Sequence, residues 1–262
     1  MTDIDKTSQP ILAIRCLTYN HGKYIRQCLE GFVMQKTTFP FIAIVHDDAS
    51  TDSTPEIIKE YEKKYPNIIK PIYEVENQYS KNNGSIDKCL GEATPESVKY
   101  IAICEGDDYW TDSKKLQRQI DFLEKHPEYI AVTENAIVHY QSTNKKKLFN
   151  TKETSDVTLK EIITKRVFPT ASVVYRSEVQ TDYLNTCKNG VDTLLWAYLA
   201  KKGKIRYFDR VTSVYNRGTQ GVVLGTDPYN WLLKCEQWNN ELAKLCVDDI
   251  NSYFFRKRIR RE

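Results

Sequence analysis

The sequence predicts an α/β fold in which helices cover both faces of a mostly parallel central sheet. Three observations carry that expectation. Short apolar runs alternate with segments of helical period through the first half of the chain. Each run stops at a polar turn, and the helices between successive runs imply right-handed crossovers, hence parallel strands. The length, 262 residues, suits one large domain or one with a small appendage. A chain of that size buries roughly 70–75% of its unfolded surface and needs no disulfide or structural metal to fold.

The first run, Ile11 to Leu17, reads as a buried strand ending in the turn Thr18-Tyr19-Asn20-His21-Gly22. Tyr24, Ile25, Cys28, Leu29, Phe32 and Val33 then recur at helical spacing up to Met34. Phe41 to Val45 is the second strand, running into His46-Asp47-Asp48. Ser50 to Thr54 offer caps for a helix over about Pro55 to Tyr65, with proline in its first turn. Ile68 to Tyr73 is a third strand, followed by a polar loop from Glu76 to Ser85. Tyr100 to Cys104 is the fourth, running into Glu105-Gly106-Asp107-Asp108, with a helix from about Ser113 to Lys125. The second half is less regular. Lys145-Lys146-Lys147 reads as a solvated turn, Thr158 to Lys165 and Asp192 to Lys201 as helices, and Ala171 to Tyr175 and Ile205 to Tyr215 as strand material. A last helix, about Pro228 to Cys246, sets Trp231, Leu232, Cys235, Trp238, Leu242 and Leu245 near one face.

Composition narrows the class. Hydrophobic residues make up 40% and charged residues 28%, which excludes collagenous, disordered and membrane-spanning chains. No signal peptide is visible and no apolar run approaches the ~20 residues of a bilayer span, so a cytoplasmic location is expected. A net charge of +3 is too small to argue for nucleic acid. The positive charge gathers at the end, where Phe254 and Phe255 precede Arg256, Lys257, Arg258, Arg260 and Arg261. Such a tail suits peripheral contact with the inner face of a membrane, or is a frayed cationic terminus. Seven cysteines stand singly with no C-x-x-C pair, and the four histidines form no sequence cluster, so zinc and thioredoxin-type readings lack support. Cys16 and Cys104 read as small core residues in a reducing compartment.

In a sheet of this kind the ligand lies beyond the carboxyl ends of the strands. That selects the turns after Leu17, Val45 and Cys104. Glu105-Gly106-Asp107-Asp108 carries three carboxylates in four residues, which repel one another unless a cation or hydrogen bonds offset them. A hard divalent ion, Mg²⁺ or Mn²⁺, supplies that compensation through one or two carboxylates plus phosphate oxygens, and it stabilises charge developing on a diphosphate leaving group. Helix capping is the plainer alternative, with Asp112 placed to cap the next helix. Asp47-Asp48-Ala49-Ser50-Thr51-Asp52 repeats the theme. Asp52 or Ser53 reads as a cap there, which leaves Asp47 and Asp48 unexplained except as acceptors for a base N–H or a ribose hydroxyl.

Leu17-Thr18-Tyr19-Asn20-His21-Gly22-Lys23-Tyr24, the Asp47–Asp52 run and Glu105-Gly106-Asp107-Asp108-Tyr109-Trp110 together resemble the inverting glycosyltransferases of family 2, which have the Rossmann-like GT-A fold. The resemblance is strong over about 11–135 and weak over 165–225. It implies a nucleotide-sugar donor, with UDP as the nucleotide, a glycan or lipid-linked acceptor, and Mg²⁺ or Mn²⁺. It further implies that Thr18, Tyr19 and Asn20 sit near the base, that Asp48 accepts from uracil and that Asn77 lies in a base-side loop. Glu105 and Asp107 match the two ends of the family's D-x-D motif, for ribose and metal respectively, with Asp108 beside the sugar. Glu at the first acidic position is a departure. The family's general base falls before a helix that leads to a Gly-containing turn and a strand, and Asp192 fits that context, though a helix-capping role is the alternative. Where many relatives carry a Tyr-Arg-x-His segment, this chain has Tyr215-Asn216-Arg217-Gly218 and no His, so Arg217 is the expected diphosphate contact.

The chain divides on this reading into a nucleotide-sugar-binding half (1–135), an acceptor-binding and catalytic half (136–227) and a C-terminal helix with basic tail (228–262), as one continuous domain. Two rivals remain open: a nucleotide-sugar-binding protein without turnover, and a nucleotidyltransferase. The latter would show a Gly-rich basic phosphate loop after the first strand, where Thr18–Lys23 is poor in glycine.

Overall fold

Each apolar run of the first half forms a strand; the runs at 12–18, 41–47 and 100–103 are buried on both faces, and the one at 69–73 is partly exposed. β1 (Leu12–Thr18) pairs in parallel with β2 (Phe41–Asp47) on one side and β4 (Tyr100–Ile103) on the other, and β2 pairs in parallel with β3 (Ile69–Tyr73). The computed structural model describes residues 9–81, 84–179, 183, 192–218 and 228–246, with side chains of the last stretch from 235 onward. Gly190, Val191, Thr219 to Gly221, the side chains of Trp231 and Leu232, and the basic tail lie outside the described residues.

Alternation along β1 assigns the layers. Leu12, Ile14 and Cys16 share one core with Cys28 and Leu29 of α1 (Ile25–Val33), Ile58 of α2 (Thr54–Lys64) and Leu116 of α4 (Lys115–Lys125). Ala13, Ile42 and Ile44 join the opposite core with Leu90 of α3 (Ser85–Ala93), Ile162 of α5 (Leu159–Thr164), Leu194 of α6 (Asp192–Lys202) and Leu242 of α7 (Pro228–Cys246). Burying each such aliphatic side chain contributes about 1.5–3 kcal/mol, so helices on both faces follow from the strands being apolar on both. The cysteines expected in the core are there: Cys16 and Cys104 are fully buried, and the six described cysteines are free thiols.

Among the described residues the sheet has ten strands, eight of them in the order β3-β2-β1-β4-β9-β6-β10-β5. β5 is Tyr109–Trp110, β6 Tyr129–Tyr140, β9 Val174–Arg176 and β10 Lys204–Arg217. Most paired residues lie in parallel ladders, including the long one between β6 and β10, while β9 runs antiparallel between β4 and β6. The division read at 135/136 falls inside β6, at a register shift in its ladder with β10, where Asn135 faces Val211 and Ala136 faces Ser213.

Several elements differ from the sequence reading, among them the run from Ala171, which opens as a 3₁₀ turn at Thr170–Ser172 before β9. β6 was not anticipated: Thr133, Glu134 and Asn135 break its apolar pattern yet are buried. Lys145-Lys146-Lys147 is no turn but part of β7 (Lys145–Leu148), an exposed strand paired antiparallel to β6, with lysines that discourage further edge pairing. The loop after Glu76 contains a 3₁₀ turn at Tyr79–Lys81 and yields to α3 at Ser85. A short β8 (Ser155–Val157) also pairs with β10. Among the described residues no helix is long and apolar enough to cross a membrane.

Candidate active site

Parallel pairing in register makes β1, β2 and β4 end together. Thr18 sits opposite Asp47, and Cys104 and Gly106 continue the ladder by donating to Arg15 O (3.2 Å) and Leu17 O (2.9 Å). The acidic turn therefore lies flat against the end of β1. Gly106 makes this approach possible. A Cβ there would come within 2.5 Å of Thr18 Oγ1, 2.7 Å of Thr18 Cβ and 3.0 Å of His21 Nδ1.

The other two turns are stitched to each other. Asn20, in the left-handed region at φ 53°, accepts Thr51 N at 2.8 Å through Oδ1 and donates its own N–H to Ser50 Oγ at 2.8 Å. Ala49 is also left-handed at φ 63°, a cost of about 1–2 kcal/mol for a residue with a Cβ. The Ser50 hydroxyl, donating to Asp47, helps hold that conformation. Asp52 stands one residue ahead of the Ser53 N-cap, whose side chain makes no cap bond, and accepts Thr54 N and Gly22 N, both at 2.9 Å. Asp112 likewise accepts Lys114 N at 2.8 Å beside α4.

Asp48 has a role beyond the one the sequence implied. Its two carboxylate oxygens accept Gln78 N (2.6 Å) and Tyr79 N (3.0 Å), while Asn77 Nδ2 donates to Asp48 O (3.3 Å) and Asn77 Oδ1 accepts Ser80 N (2.8 Å). Asp48 and Asn77 thus hold the loop after β3 against the end of β2. Tyr19 and Tyr79 stand exposed at this end of the sheet.

Glu105, Asp107 and Asp108 bring one oxygen each within 4.8 Å of one another. Burial, then Asp192 and Asp107, push the Glu105 carboxyl up to about 8. Burial, then Asp107 and Glu105, push Asp108 well above the carboxylate range. Asp108 Oδ1 accepts Asn216 N at 2.8 Å, but its buried Oδ2 has no hydrogen-bond partner. Three crowded carboxylates with an orphaned oxygen are what a divalent cation relieves, so these residues fit Mg²⁺ or Mn²⁺. Burial also pushes the His21 imidazole down, against the pull of Asp107.

Asp192 opens α6 and reaches the same cluster. Its Oδ2 accepts the Thr170 hydroxyl and lies 3.5 Å from Arg166 Nη2, both partners from outside its own helix. Arg166 comes one residue after Lys165, the C-cap of α5, a helix that Thr158 and Glu161 start with a reciprocal capping box. Its guanidinium donates to Thr170 Oγ1 (3.1 Å) and the Tyr215 hydroxyl (3.3 Å), lies over the Tyr215 ring, and pulls against the upward shifts of Glu105 and Asp108.

Asp48, Asn77, Glu105, Asp107, Asp108 and Asp192 are therefore gathered at one end of the sheet, with Thr18, Tyr19 and Asn20 in the adjoining turn. Arg217, the expected diphosphate contact, lies over the Tyr140 ring (5.7 Å), and among the described residues the cation acting on Glu105 and Asp108 is Arg166. Three site residues escaped sequence reasoning: Arg166, Thr170 and Asn216, whose Nδ2 donates to Asp107 O at 2.6 Å. Asn216 had a faint signal in its place within the Tyr215–Gly218 segment; Arg166 and Thr170 had none.

The family model described as glycosyl transferase family 2 matches residues 16–179. The chain is 35% identical over 212 residues to the uncharacterized protein Rv1520 of Mycobacterium tuberculosis, an alignment covering 80% of this chain and 60% of that one. It spans about three fifths of that relative's length. The putative teichuronic acid biosynthesis glycosyltransferase TuaG of Bacillus subtilis is 25% identical over 203 residues, covering 76% of this chain and 75% of its own. Among solved structures, S. aureus TarS 1–349 in complex with UDP-GlcNAc superposes with a TM-score of 0.66 at 18% identity, covering 95% of this chain and 70% of that one. The mannosyltransferase PcManGT of Pyrobaculum calidifontis, in complex with GDP-Man and Mn²⁺, gives 0.62 at 17% identity, covering 98% and 70%. Both likenesses show the GT-A fold.

Proposed function

Given that the chain belongs to glycosyl transferase family 2, we propose that it moves a hexosyl or N-acetylhexosaminyl unit from a nucleotide-diphosphate donor, UDP-linked, to a hydroxyl of a glycan acceptor, with inversion. The observation that carries this reading is the meeting of Glu105, Asp107 and Asp108 with Asp192, delivered by separate elements. UDP is favoured by the UDP-GlcNAc complex of TarS, and a polysaccharide or lipopolysaccharide acceptor by the teichuronic acid biosynthesis in the name of TuaG. The acceptor reading extends to lipid-linked glycans, with peripheral contact at the inner membrane face through the basic tail.

In this reading Thr18, Tyr19, Asn20 and the loop held by Asp48 and Asn77 receive the nucleotide, and Glu105 takes the ribose. Asp107, with Glu105 and Asp108, would hold Mg²⁺ or Mn²⁺, which when bound offsets the charge of the diphosphate as it departs. Asp108 sits beside the donor sugar, its orientation set by Asn216. Asp192 takes the proton of the acceptor hydroxyl as that oxygen attacks the anomeric carbon from the side opposite the leaving diphosphate. Thr170 and Arg166 both engage Oδ2 of Asp192, so Oδ1 is the atom assigned to the proton. Arg166 answers the phosphate charge in place of Arg217.

The test is Asp107→Asn assayed for transfer from UDP-sugars with Mn²⁺. Loss of metal-dependent transfer with an unchanged circular dichroism spectrum is expected; full activity would refute the metal assignment.

A further inference from the structure

A second group of metal-binding side chains lies away from the acidic turn. On β2, alternation puts His46 on the same face as Ile42 and Ile44, toward α3, and its side chain is fully buried. Its Nε2 stands 3.1 Å from Oε1 of Glu74, the residue after β3, and Cys89 of α3 brings its thiol to the same point. One donor atom from each lies within 4.8 Å of the others. Donors bound to one ion at about 2.0–2.3 Å stand roughly 3–4 Å apart, so closing this set takes side-chain adjustment only.

The chemistry of the set differs from that of the acidic turn. Glu105, Asp107 and Asp108 offer oxygen alone and suit a hard ion, whereas imidazole, thiolate and carboxylate together select zinc. Charge agrees: a neutral imidazole, one thiolate and one carboxylate neutralise a dication. Solvent reaches the group through Glu74, one fifth exposed, so water can take the fourth position.

We propose that His46, Glu74 and Cys89 form a zinc site that clips α3 to the ends of β2 and β3. The clip adjoins the base loop, because Glu74 N donates to Asp47 O at 2.9 Å and the next residue, Asp48, holds the loop after β3. Zinc here sets the rigidity of that loop and takes no part in group transfer. The proposal stands on this geometry whatever the reaction proves to be. The plain alternative is a buried histidine hydrogen-bonded to a carboxylate with a thiol alongside, which holds no ion.

The experiment is metal analysis of the full chain after equilibration with zinc and gel filtration, comparing the wild type with Cys89→Ser, Glu74→Gln and Asp107→Asn. One equivalent of zinc is expected in the wild type and in Asp107→Asn, and loss of most of it in the other two with unchanged circular dichroism. Zinc well below one equivalent in the wild type, or undiminished in Cys89→Ser and Glu74→Gln, overturns the proposal. Should those two variants fail to fold, mass-spectrometric footprinting of the wild type decides: zinc should slow alkylation of Cys89 at least about tenfold, since alkylation needs the free thiolate, and equal rates with and without zinc overturn it.

Discussion

Gly106→Ala tests the idea that the acidic turn is fixed by close contact with the end of β1. The added methyl would meet Thr18 Oγ1 at 2.5 Å and Thr18 Cβ at 2.7 Å, and Thr18 is buried at a strand end that pairs with β2. Neither side can yield freely, so the turn must lift, straining the Asn216 bonds to Asp108 and Asp107 O. Overpacking of this kind costs about 1–3 kcal/mol. Taken as about 2 kcal/mol, it lowers Tm by roughly 4–8 °C in a chain of this size. The control is Gly91→Ala, where nothing lies within 4 Å of the new methyl and the residue is in α3. That change should stabilise by about 0.5–1 kcal/mol. Urea unfolding of both variants, with calorimetric titration of UDP in Mn²⁺, is the assay. Adding Thr18→Gly to Gly106→Ala removes the two shortest contacts and should recover part of the loss as a favourable coupling. Undiminished stability and UDP affinity in Gly106→Ala would refute the reasoning.

Asp192→Asn should lower kcat about 10²–10⁴-fold, the range of a lost general base, with KM for donor nearly unchanged; a comparable loss in KM alone would reassign the residue to binding. Arg166→Ala removes charge-assisted contacts worth about 1.5–3 kcal/mol, so kcat/KM for donor should fall about 10–100-fold, whereas Arg217→Ala should change it little; the reverse order in steady-state kinetics would restore Arg217 as the diphosphate contact. Glu105 is raised from 4.5 to about 8 in the folded, metal-free protein, so between those values the folded state holds a proton that the unfolded state has released. Its contribution to stability therefore falls with rising pH, by up to about 1.4 kcal/mol per pH unit. Mn²⁺ favours the ionised carboxylates, so the Tm difference between Mn²⁺ and EDTA should widen from pH 5 to 8. A constant difference would contradict the assignment.

How much was legible in the sequence depended on how local each signal was. β1, β2 and β4 were readable because an apolar run followed by a polar turn marks a strand buried on both faces, and those turns carry Asn20, Asp48 and Glu105. β6 was not, because Glu134 and Asn135 are buried by partners distant in sequence, among them Asn150, whose carbonyl accepts from Asn135 at 2.8 Å. α3 was hidden because only Leu90 of its nine residues is buried, which leaves a faint helical stripe. Asp192 could be nominated from its setting before a helix, but Arg166, Thr170 and Asn216 join the site only through the pairing of β10 with β6 and the return of the chain after α5. That Arg217 lies over Tyr140 of the neighbouring strand was equally hidden, because the contact is set by register. The His46, Glu74 and Cys89 group is of the same kind: three residues on three elements, with no spacing for a sequence to display.

The central claim is that the carboxylates after β4 hold a divalent ion against the diphosphate of a sugar nucleotide. Crystals grown with UDP and Mn²⁺, measured for manganese anomalous scattering, address it most directly. An anomalous peak is expected among Glu105, Asp107 and Asp108, with diphosphate oxygens completing the coordination. A manganese peak elsewhere, or UDP bound with no peak among those carboxylates, would contradict it.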